Sequence, residues 1–204
     1  MRITIIGLQG SGKTYLAKKA FLDREPQHLV IDPNDEYAGY TRYVPKYTDD
    51  YERLVEEIKI AVRKLVIPNT WSIEQLEKKG KDKPDRLKLL VIDEADLILP
   101  AKHNINGAIR NLIVKSRHLR LDIIFISRRP TDLNAYVMDV SDYLIVYKQV
   151  GYNALKTLRA LKLDSDKSIK DLDYENHEFL LFDRERAYTK HTLDDFEAQA
   201  LREA

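Results

Sequence analysis

Two glycines, a lysine and a threonine stand at a fixed spacing near the start of the chain. Gly7, Gly12, Lys13 and Thr14 match the pattern G-x-x-x-x-G-K-[ST], between an apolar run and a helix-like segment. Glycines allow the backbone to turn tightly around an anion, and the following helix adds the positive end of its dipole. In such a turn the lysine reaches the β and γ phosphates of a nucleotide, and the threonine hydroxyl binds Mg²⁺. The residues assigned to this predicted nucleotide site are Gly7, Gly10, Ser11, Gly12, Lys13, Thr14 and Tyr15.

Two adjacent acids, Asp93 and Glu94, follow the apolar run Leu89–Ile92. A carboxylate at the end of a buried strand can hold the water shell of a metal beside Thr14, and this role is assigned to Asp93. Glu94 is assigned as the base that deprotonates a water in line with the γ-phosphate, although the pair also fits a solvated strand end. An additional carboxylate beside the metal-side acid favours hydrolysis over phosphoryl transfer. The absence of the guanine-reading pattern N/T-K-x-D favours ATP over GTP.

A third apolar run, in LDIIFISRRPTDL, ends in Ser127, Arg128 and Arg129. In a doubly wound sheet, ligands bind outside the carboxyl ends of the strands. We therefore expect Ser127 and Arg128 beside the phosphates and the acids, where a polar group can detect the γ-phosphate. Arg129 is assigned to a neighbouring subunit, to DNA or to a surface ion pair. Asp96 is interpreted as a third acid or as a cap.

The elements that would position these residues alternate between short apolar strands and amphipathic helices. The predicted strands are Arg2–Ile6, His28–Ile31, Lys88–Ile92, Leu121–Ile126 and Asp142–Tyr147, followed by a hairpin of Glu178–Asp183 and Ala187–His191. The first five lack polar alternation, which is typical of parallel strands covered on both faces. The predicted helices are Lys13–Leu22, Asp50–Val66 with a capping box of Asp49 and Glu52, Ile105–His118 and Tyr152–Leu163. The order predicts a three-layer α/β fold with a mainly parallel, doubly wound sheet.

Composition limits the remaining possibilities. The chain has 204 residues, 44% of them apolar and 33% charged, with a net charge of +1. This length fits one domain, and the charge balance argues against a protein that coats nucleic acid by bulk charge. The absence of cysteine excludes disulfides and thiol catalysis. No apolar segment approaches about 18 residues and the N-terminal apolar core is short for a signal peptide, so we expect a soluble protein without membrane insertion.

Three segments together, GLQGSGKT, LLVIDEAD and IIFISRRP, resemble the FtsK–HerA superfamily of ring-forming, DNA-pumping ATPases. LVIDPNDEY, at 29–37, is similar to the Asp-Pro-x-Gly-Glu-Tyr stretch of the HerA branch. The compact size resembles the viral genome-packaging ATPases, in particular those of archaeal turreted icosahedral viruses. The resemblance covers about residues 1–150 and implies a RecA/ASCE-like P-loop core there. Residues 151–204, a helix, hairpin and tail, match only in general layout, so 1–204 is interpreted as a single domain.

The resemblance implies residue roles by position. Lys13 and Thr14 become the Walker A pair, and Asp93 and Glu94 become the Walker B pair. The trans-acting arginine of the family lies eleven residues before its sensor glutamine, a place that Arg117 holds here.

The sensor position is a departure from the family pattern, because it holds Arg128. Either Ser127 takes over the sensor role or Arg128 binds phosphate directly. Arg117 also fits a solvated arginine at a helix end, and Arg110 and Arg120 are reserve candidates for the trans role.

The function implied by the resemblance is an ATP- and Mg²⁺-dependent motor, a homo-oligomeric ring of five or six subunits, that translocates double-stranded DNA. We expect it to package a viral genome into a capsid, in the host cytoplasm or in association with the virion, with capsid or internal membrane proteins as partners. Asp32 and Glu36 are interpreted either as couplers of nucleotide to DNA movement or as an ordinary turn. Lys78–Arg86 and Pro100–Arg110 are candidate DNA loops, although each lysine there also fits a solvated charge run.

Three alternatives remain open at the level of sequence. A cellular HerA-like DNA-processing pump would share every motif. A small-molecule nucleotide kinase fits the size and the phosphate site. A non-hydrolysing regulatory module would bind ATP without turnover.

Overall fold

Eight strands form a single sheet in the computed structural model, which describes residues 1–61, 87–163 and 166–196. They are β1 (Arg2–Ile6), β2 (His28–Ile31), β3 (Arg42–Tyr43), β4 (Leu89–Ile92), β5 (Asp122–Ser127), β6 (Tyr143–Tyr147), β7 (Phe179–Phe182) and β8 (Tyr188–His191). Their order in the sheet is β3-β2-β4-β5-β1-β6-β7-β8. Strands β1 to β6 are parallel, whereas β7 runs antiparallel to β6 and pairs with β8. The predicted mainly parallel sheet with a C-terminal hairpin is confirmed.

Helices connect the parallel strands. Helix α1 (Lys13–Leu16) continues as a π-helix at Ala17–Phe21 and as a 3₁₀ helix at Leu22–Arg24. The other helices are α2 (Tyr51–Ala61), α3 (Ala95–Ile98), α4 (Gly107–Lys115), α5 (Ala135–Asp139), α6 (Tyr152–Ala160) and α7 (Asp166–Lys170). The predicted capping box at Asp49 is wrong by one residue. Asp50 caps α2, since its Oδ1 accepts a hydrogen bond from the N–H of Arg53 at 3.2 Å. The predicted extension of this helix to Val66 lies outside the described residues, as does the segment 68–86.

The core lies on both faces of the sheet, because most positions of the inner strands are apolar. In β6, Leu144 and Val146 enter one buried cluster while Ile145 and Tyr147 enter the other. The first cluster contains the buried faces of α2, α4 and α6, and the second contains those of α1. Each such side chain, fully buried, contributes about 1.5–3 kcal/mol to folding. The parallel strands lack polar alternation because helices cover both faces of the sheet.

Strand β5 lies between β1 and β4, and this order assembles the site. Ile6 of β1 is in register with Ser127 of β5, and Ile92 of β4 is in register with Phe125. Three neighbouring parallel strands therefore end at the same edge of the sheet. The glycine-rich turn follows β1, Ser127 and the two arginines lie at the end of β5, and Asp93 and Glu94 follow β4. Within the described residues, no helix is both long and apolar enough to span a membrane.

Candidate nucleotide site at the carboxyl edge of the sheet

The glycine-rich turn between β1 and α1 is packed too closely to accept side chains at its glycines. The N–H of Gly7 donates to the carbonyl of Ser127 at 3.2 Å. A Cβ atom on Gly7 would lie 2.4 Å from Ser11 Oγ and 2.8 Å from Tyr147 Cβ. Gly12 has a φ of 97°, which favours glycine. The turn is therefore fixed in shape by residues of β5 and β6.

Lysine 13 folds back over this turn. Its Nζ donates to the carbonyl of Leu8 at 2.9 Å. Burial lowers the pKa of Lys13, and the nearby carboxylates of Asp93 and Glu94 oppose that effect. A partly buried ammonium whose partner is a neutral carbonyl is available to a more negative ligand.

Several unused polar groups fit a nucleotide phosphate at this turn. The hydroxyl of Ser11 is buried and finds no hydrogen-bond partner in the described part of the chain. Helix α1 begins without an acidic residue in its first turn and without a capping side chain, so its N–H groups are left for an anion. Tyr15, half exposed, follows at the start of the helix. The residues predicted from the glycine pattern are thus brought together around one turn.

The oxygen atoms beside the turn fit a small divalent cation held together with phosphates. Thr14 Oγ1 donates to Glu36 Oε2 at 3.1 Å, and Asp93 lies nearly buried at the end of β4. Among the described residues, no three or more His, Asp and Glu side chains form a ready-made metal cluster. Mg²⁺ is usually held by one or two protein oxygens, waters and substrate phosphates, and such a donor set suits it.

Asp93, the first of the two acids after β4, is buried beside the phenol of Tyr37. Burial raises the pKa of Asp93 to about 6, although a hydrogen bond from the N–H of Glu94 to its Oδ1 at 2.9 Å opposes the shift. The fully buried ring of Tyr37 lies beside Thr14 and Asp93, and burial raises the pKa of its phenol. The Tyr37 hydroxyl has no partner with hydrogen-bond geometry among the described residues. Tyr37 had no predicted role, and a tyrosine in a turn gives no sequence signal for one.

Glu94 is held at one carboxylate oxygen. Its Oε1 accepts hydrogen bonds from Asn34 Nδ2 at 3.0 Å, Arg128 Nε at 2.8 Å and Arg128 Nη2 at 2.6 Å. The backbone of Glu94 is left-handed, with a φ of 44°, and its side chain is 12% exposed. The hydrogen bonds that Arg128 donates to Glu94 also raise the pKa of Arg128. The structure therefore places Arg128 beside Glu94, the proposed base.

The turn after β2 brings two further side chains to the site. Asp32, fully buried, accepts hydrogen bonds from the N–H groups of Glu36 and Tyr37, both at 2.9 Å. Asp35, in the same turn, has a φ of 59° and stands where the similar family pattern has glycine. Its Oδ1 lies 2.6 Å from Nη2 of Arg42, with which it forms an ion pair. Asp32 thus shapes the turn that directs Glu36 to Thr14 and Asn34 to Glu94. Asn34 was missed from the sequence, because the variable position of the pattern marks no chemistry.

Ser127 makes its contacts inside its own subunit. It is fully buried, and its Oγ lies 2.8 Å from Asp96 Oδ1, to which it donates, and 3.3 Å from the carbonyl of Arg129. Burial raises the pKa of Asp96, and the hydrogen bond from Ser127 opposes that effect. Asp96 therefore anchors the end of β5, while the side chain of Arg129 is exposed.

Arg117 lies away from the nucleotide site of its own subunit. It is exposed in the turn between α4 and the start of β5, whereas the site is at the other end of that strand. Six residues of strand span roughly 16 Å. The reserve candidates also lie elsewhere, since Arg110 packs over the ring of Tyr136 at 5.1 Å and Arg120 is exposed in the same turn as Arg117. None of the three is brought to the site within one subunit.

The C-terminal part of the chain covers the outer side of the glycine-rich turn. The hydroxyl of Tyr174 donates to the carbonyl of Gln9. A Cβ atom on Gly12 would lie 2.9 Å from Leu193 Cδ1 and 3.3 Å from the ring of His177. Sequence analysis assigned no site role to residues 151–204, and their contact with the turn is a property of the folded chain.

Comparison with known proteins places this architecture. No protein-family model matches the chain, and no curated protein matches its sequence. It is similar to the genome packaging NTPase B204 from Sulfolobus turreted icosahedral virus 2 in complex with AMPPCP, at 21% identity and a TM-score of 0.69, covering 93% of this chain and 96% of that one.

Two further solved structures extend the comparison. The DNA-packaging ATPase B204 from Sulfolobus Turreted Icosahedral Virus has 20% identity, coverage of 94% and 96%, and a TM-score of 0.68. The pCW3 conjugation coupling protein TcpA with ATPγS has 16% identity, coverage of 94% and 59%, and a TM-score of 0.53. The RecA/ASCE-like P-loop fold, and with it the predicted resemblance to viral packaging ATPases, is therefore confirmed at the level of the fold.

Proposed function

We propose that this protein is an ATPase motor that moves double-stranded DNA and packages a viral genome into a capsid. One observation carries the proposal. The glycine-rich turn with Lys13 and Thr14, the acids Asp93 and Glu94, and Arg128 converge from three neighbouring strand ends. The similar solved structures include a protein named as a genome packaging NTPase, which supports the packaging role.

In the proposed reaction, the chain supplies phosphate binding and a base. Lys13 exchanges the carbonyl of Leu8 for phosphate oxygens, and the N–H groups of the turn bind the same phosphates. Thr14 and Asp93 would hold Mg²⁺, which would supply positive charge beside the phosphates. Glu94 takes a proton from the attacking water as the new oxygen–phosphorus bond forms. The bond to the β-phosphate oxygen breaks, and ADP leaves with that electron pair.

Arg128 is proposed to report the γ-phosphate. Its guanidinium is half exposed and pairs with Glu94 in this structure, so a γ-phosphate beside Lys13 would compete with Glu94 for it. Ser127 is less suited to the sensor role, because its hydroxyl donates to Asp96. Between the two sensors that the sequence left open, the contacts favour Arg128.

The trans role of Arg117 is supported by its position. A residue at the amino end of β5 is distant from its own site and, in a ring, is free to serve the site of a neighbour. A guanidinium supplied in this way stabilises the negative charge that develops during phosphoryl transfer. We propose a homo-oligomeric ring on this basis.

DNA contact is proposed for the predicted segment Pro100–Arg110, which is exposed at 101–104 and whose last four residues form the first turn of α4. This loop is tied to the segment after β5, since Pro100 pairs with Leu133 and Asn134 Nδ2 donates to the carbonyl of His103 at 2.9 Å. Movement at the end of β5 would therefore reach the loop. The other predicted DNA loop, Lys78–Arg86, lies outside the described residues. Capsid or internal membrane proteins as partners, and the host cytoplasm or virion as location, belong to the same proposal.

Phosphate release from ATP, measured with and without long duplex DNA, tests the function. We expect release in the presence of Mg²⁺ that rises when DNA is added, and the Glu94→Gln protein controls for contaminating activity. Transfer of phosphate to a second nucleotide would instead identify a kinase. ATP binding without release would identify a regulatory module. Binding to isolated capsids separates a packaging motor from a cellular HerA-like pump.

A further inference from the structure

The two carboxylate oxygens of Glu94 have different surroundings. Oε1 accepts all three hydrogen bonds, one from Asn34 and two from Arg128. Oε2 accepts none from the residues that the structure describes. A carboxylate that acts as a base uses one oxygen to take the proton, so Oε2 is the oxygen left for water. The contacts to Oε1 then fix the direction in which Oε2 points.

The two donors are not equivalent. Arg128 is charged and its side chain is 49% exposed. It is also the residue proposed to move to the γ-phosphate when ATP is bound. Asn34 is neutral and has no such second ligand, so it can hold the carboxylate throughout the reaction.

The turn that carries Asn34 is itself well fixed. Both oxygens of the buried Asp32 accept N–H groups of that turn, at Glu36 and Tyr37. Arg42 ties it from outside, at 3.6 Å from Asp32 Oδ2 and 2.6 Å from Asp35 Oδ1. The left-handed backbone of Glu94 is an uncommon conformation for a residue with a side chain and needs such outside contacts to persist.

We infer that Asn34 is a positioning residue for hydrolysis, holding Oε1 of Glu94 so that Oε2 faces the attacking water. The inference rests on the proposed function, in which Glu94 is the base. It assigns a role within the site to the turn after β2, whose Glu36 also accepts a hydrogen bond from Thr14.

The test compares Asn34→Ala with the wild-type protein. We expect kcat to fall by about 10- to 100-fold, because a base that is misdirected by about 1 Å loses that much rate. The Kd for ATP, measured by equilibrium binding, is expected to stay unchanged. Asn34→Gln, which keeps an amide donor on a longer side chain, is expected to restore part of the rate.

Asp35→Asn is the matched control. It removes the ion pair with Arg42 from the same turn, does not touch Glu94, and keeps a residue that tolerates a positive φ. The hydrogen bonds to Asp32 still hold the turn in this variant, and a partly exposed ion pair contributes little, so its kcat should stay within about twofold of wild type.

A double variant adds a readout that a general structural role would not give. In the Glu94→Gln background, Asn34→Ala should cause no further loss, because the residual rate no longer depends on a carboxylate. An additional loss of the same size as in wild type would overturn the inference.

Three other outcomes are decisive. Wild-type or higher turnover in Asn34→Ala, with Glu94→Gln inactive, refutes the positioning role and leaves the ATPase function intact. Weakened ATP binding or unfolding of Asn34→Ala, with Asp35→Asn normal, shows that Asn34 supports structure instead. Full activity of Glu94→Gln removes the base on which the inference rests, and no phosphate release by the wild-type protein refutes the proposed function itself.

Discussion

The buried carboxyl group of Asp93 destabilises the folded protein at neutral pH. Burial raises its pKa from the ordinary 3.8 to about 6, so the folded chain binds this proton more tightly than the unfolded chain does. Between about pH 4 and pH 6 the folded protein therefore loses stability as pH rises, and above that range the whole loss is present. Two pKa units correspond to about 3 kcal/mol, an upper bound for this group.

Asp93→Asn should therefore stabilise the nucleotide-free protein at neutral pH. We expect the free energy of unfolding at pH 7.5 to rise by about 1–3 kcal/mol, because the amide carries no buried charge and keeps an acceptor for the N–H of Glu94. Urea unfolding at pH 7.5 and pH 4.5 measures this. The gain should shrink at pH 4.5, where the wild-type carboxyl is protonated when folded. An equal gain at both pH values would contradict the explanation.

Glu94→Gln should separate binding from chemistry. The amide keeps the shape of the side chain and an oxygen that accepts from Asn34 and Arg128, but it does not take a proton from water. We expect ATP affinity near that of wild type and a loss of hydrolysis of about 100-fold or more. Equilibrium binding and single-turnover phosphate release measure the two quantities. Full turnover would remove Glu94 from the role of base.

Lys13→Ala should act on binding instead. Its ammonium is the cation assigned to the phosphates, and among the described residues its hydrogen-bond partner is the carbonyl of Leu8. Loss of the charge should weaken ATP affinity by at least about tenfold, since hydrogen bonds to charged groups contribute about 1.5–3 kcal/mol. Undiminished affinity in an equilibrium titration would count against the phosphate-binding assignment.

At the scale of elements, the sequence predicted where the strands end but not which strands lie next to each other in the sheet. β4 and β5 are apolar runs that stop at polar residues, β1 stops at the glycine-rich turn, and local patterns of this kind are visible in the sequence. The insertion of β5 between β1 and β4 depends on pairing over long separations, which no local pattern encodes. Strand β3 has two residues, too few to show a period.

Four residues of the candidate site were predictable from the sequence, whereas Asn34 was not. Lys13, Thr14, Asp93 and Glu94 follow from spacing, because their chemistry requires those residue types at those places. Asn34 does not, because an asparagine in a turn usually serves the backbone of that turn. Its amide became informative only once folding placed it beside Glu94.

The close packing of the glycine-rich turn predicts opposite results for two Gly→Ala substitutions. Gly7→Ala places a Cβ atom 2.8 Å from Tyr147 Cβ on β6 and should lower the free energy of unfolding by about 1–3 kcal/mol. Gly107→Ala, at the start of α4, meets no described atom within 4 Å and should raise it by about 0.4–1 kcal/mol. Urea unfolding of both variants measures the contrast, and a tolerated Gly7→Ala would show that the turn is loosely packed.

At the scale of the whole molecule, the proposed trans role of Arg117 predicts that one subunit alone is incomplete as an ATPase. Arg117→Ala should bind ATP normally and hydrolyse it slowly, because the charge matters only as negative charge develops on the transferred group. A finger supplied by a neighbour can be worth about 10³-fold in rate. A solvated arginine at a helix end would contribute nothing measurable to this rate.

Mixing Arg117→Ala with Glu94→Gln tests the trans role. Each interface of one orientation combines an intact base with an intact arginine, so mixed rings should recover activity that neither variant has alone. Phosphate release is measured at one total protein concentration for the mixture and for each parent. If mixed rings form, as shown by co-purification of two tags, and stay as inactive as their parents, Arg117 does not act in trans.

The central position of β1 has a consequence for biosynthesis. Arg2 pairs with Ile123 of β5, and Ile3 pairs with Tyr143 of β6, so β1 is synthesised long before either of its strand partners. Until β5 and β6 have been made, the apolar residues of β1 have no strand partners and are open to chaperones and to wrong pairing. Tyr174 and Leu193, which lie against the glycine-rich turn, are synthesised later still. The turn therefore reaches its final packing only after both halves of the sheet and the C-terminal hairpin have been made.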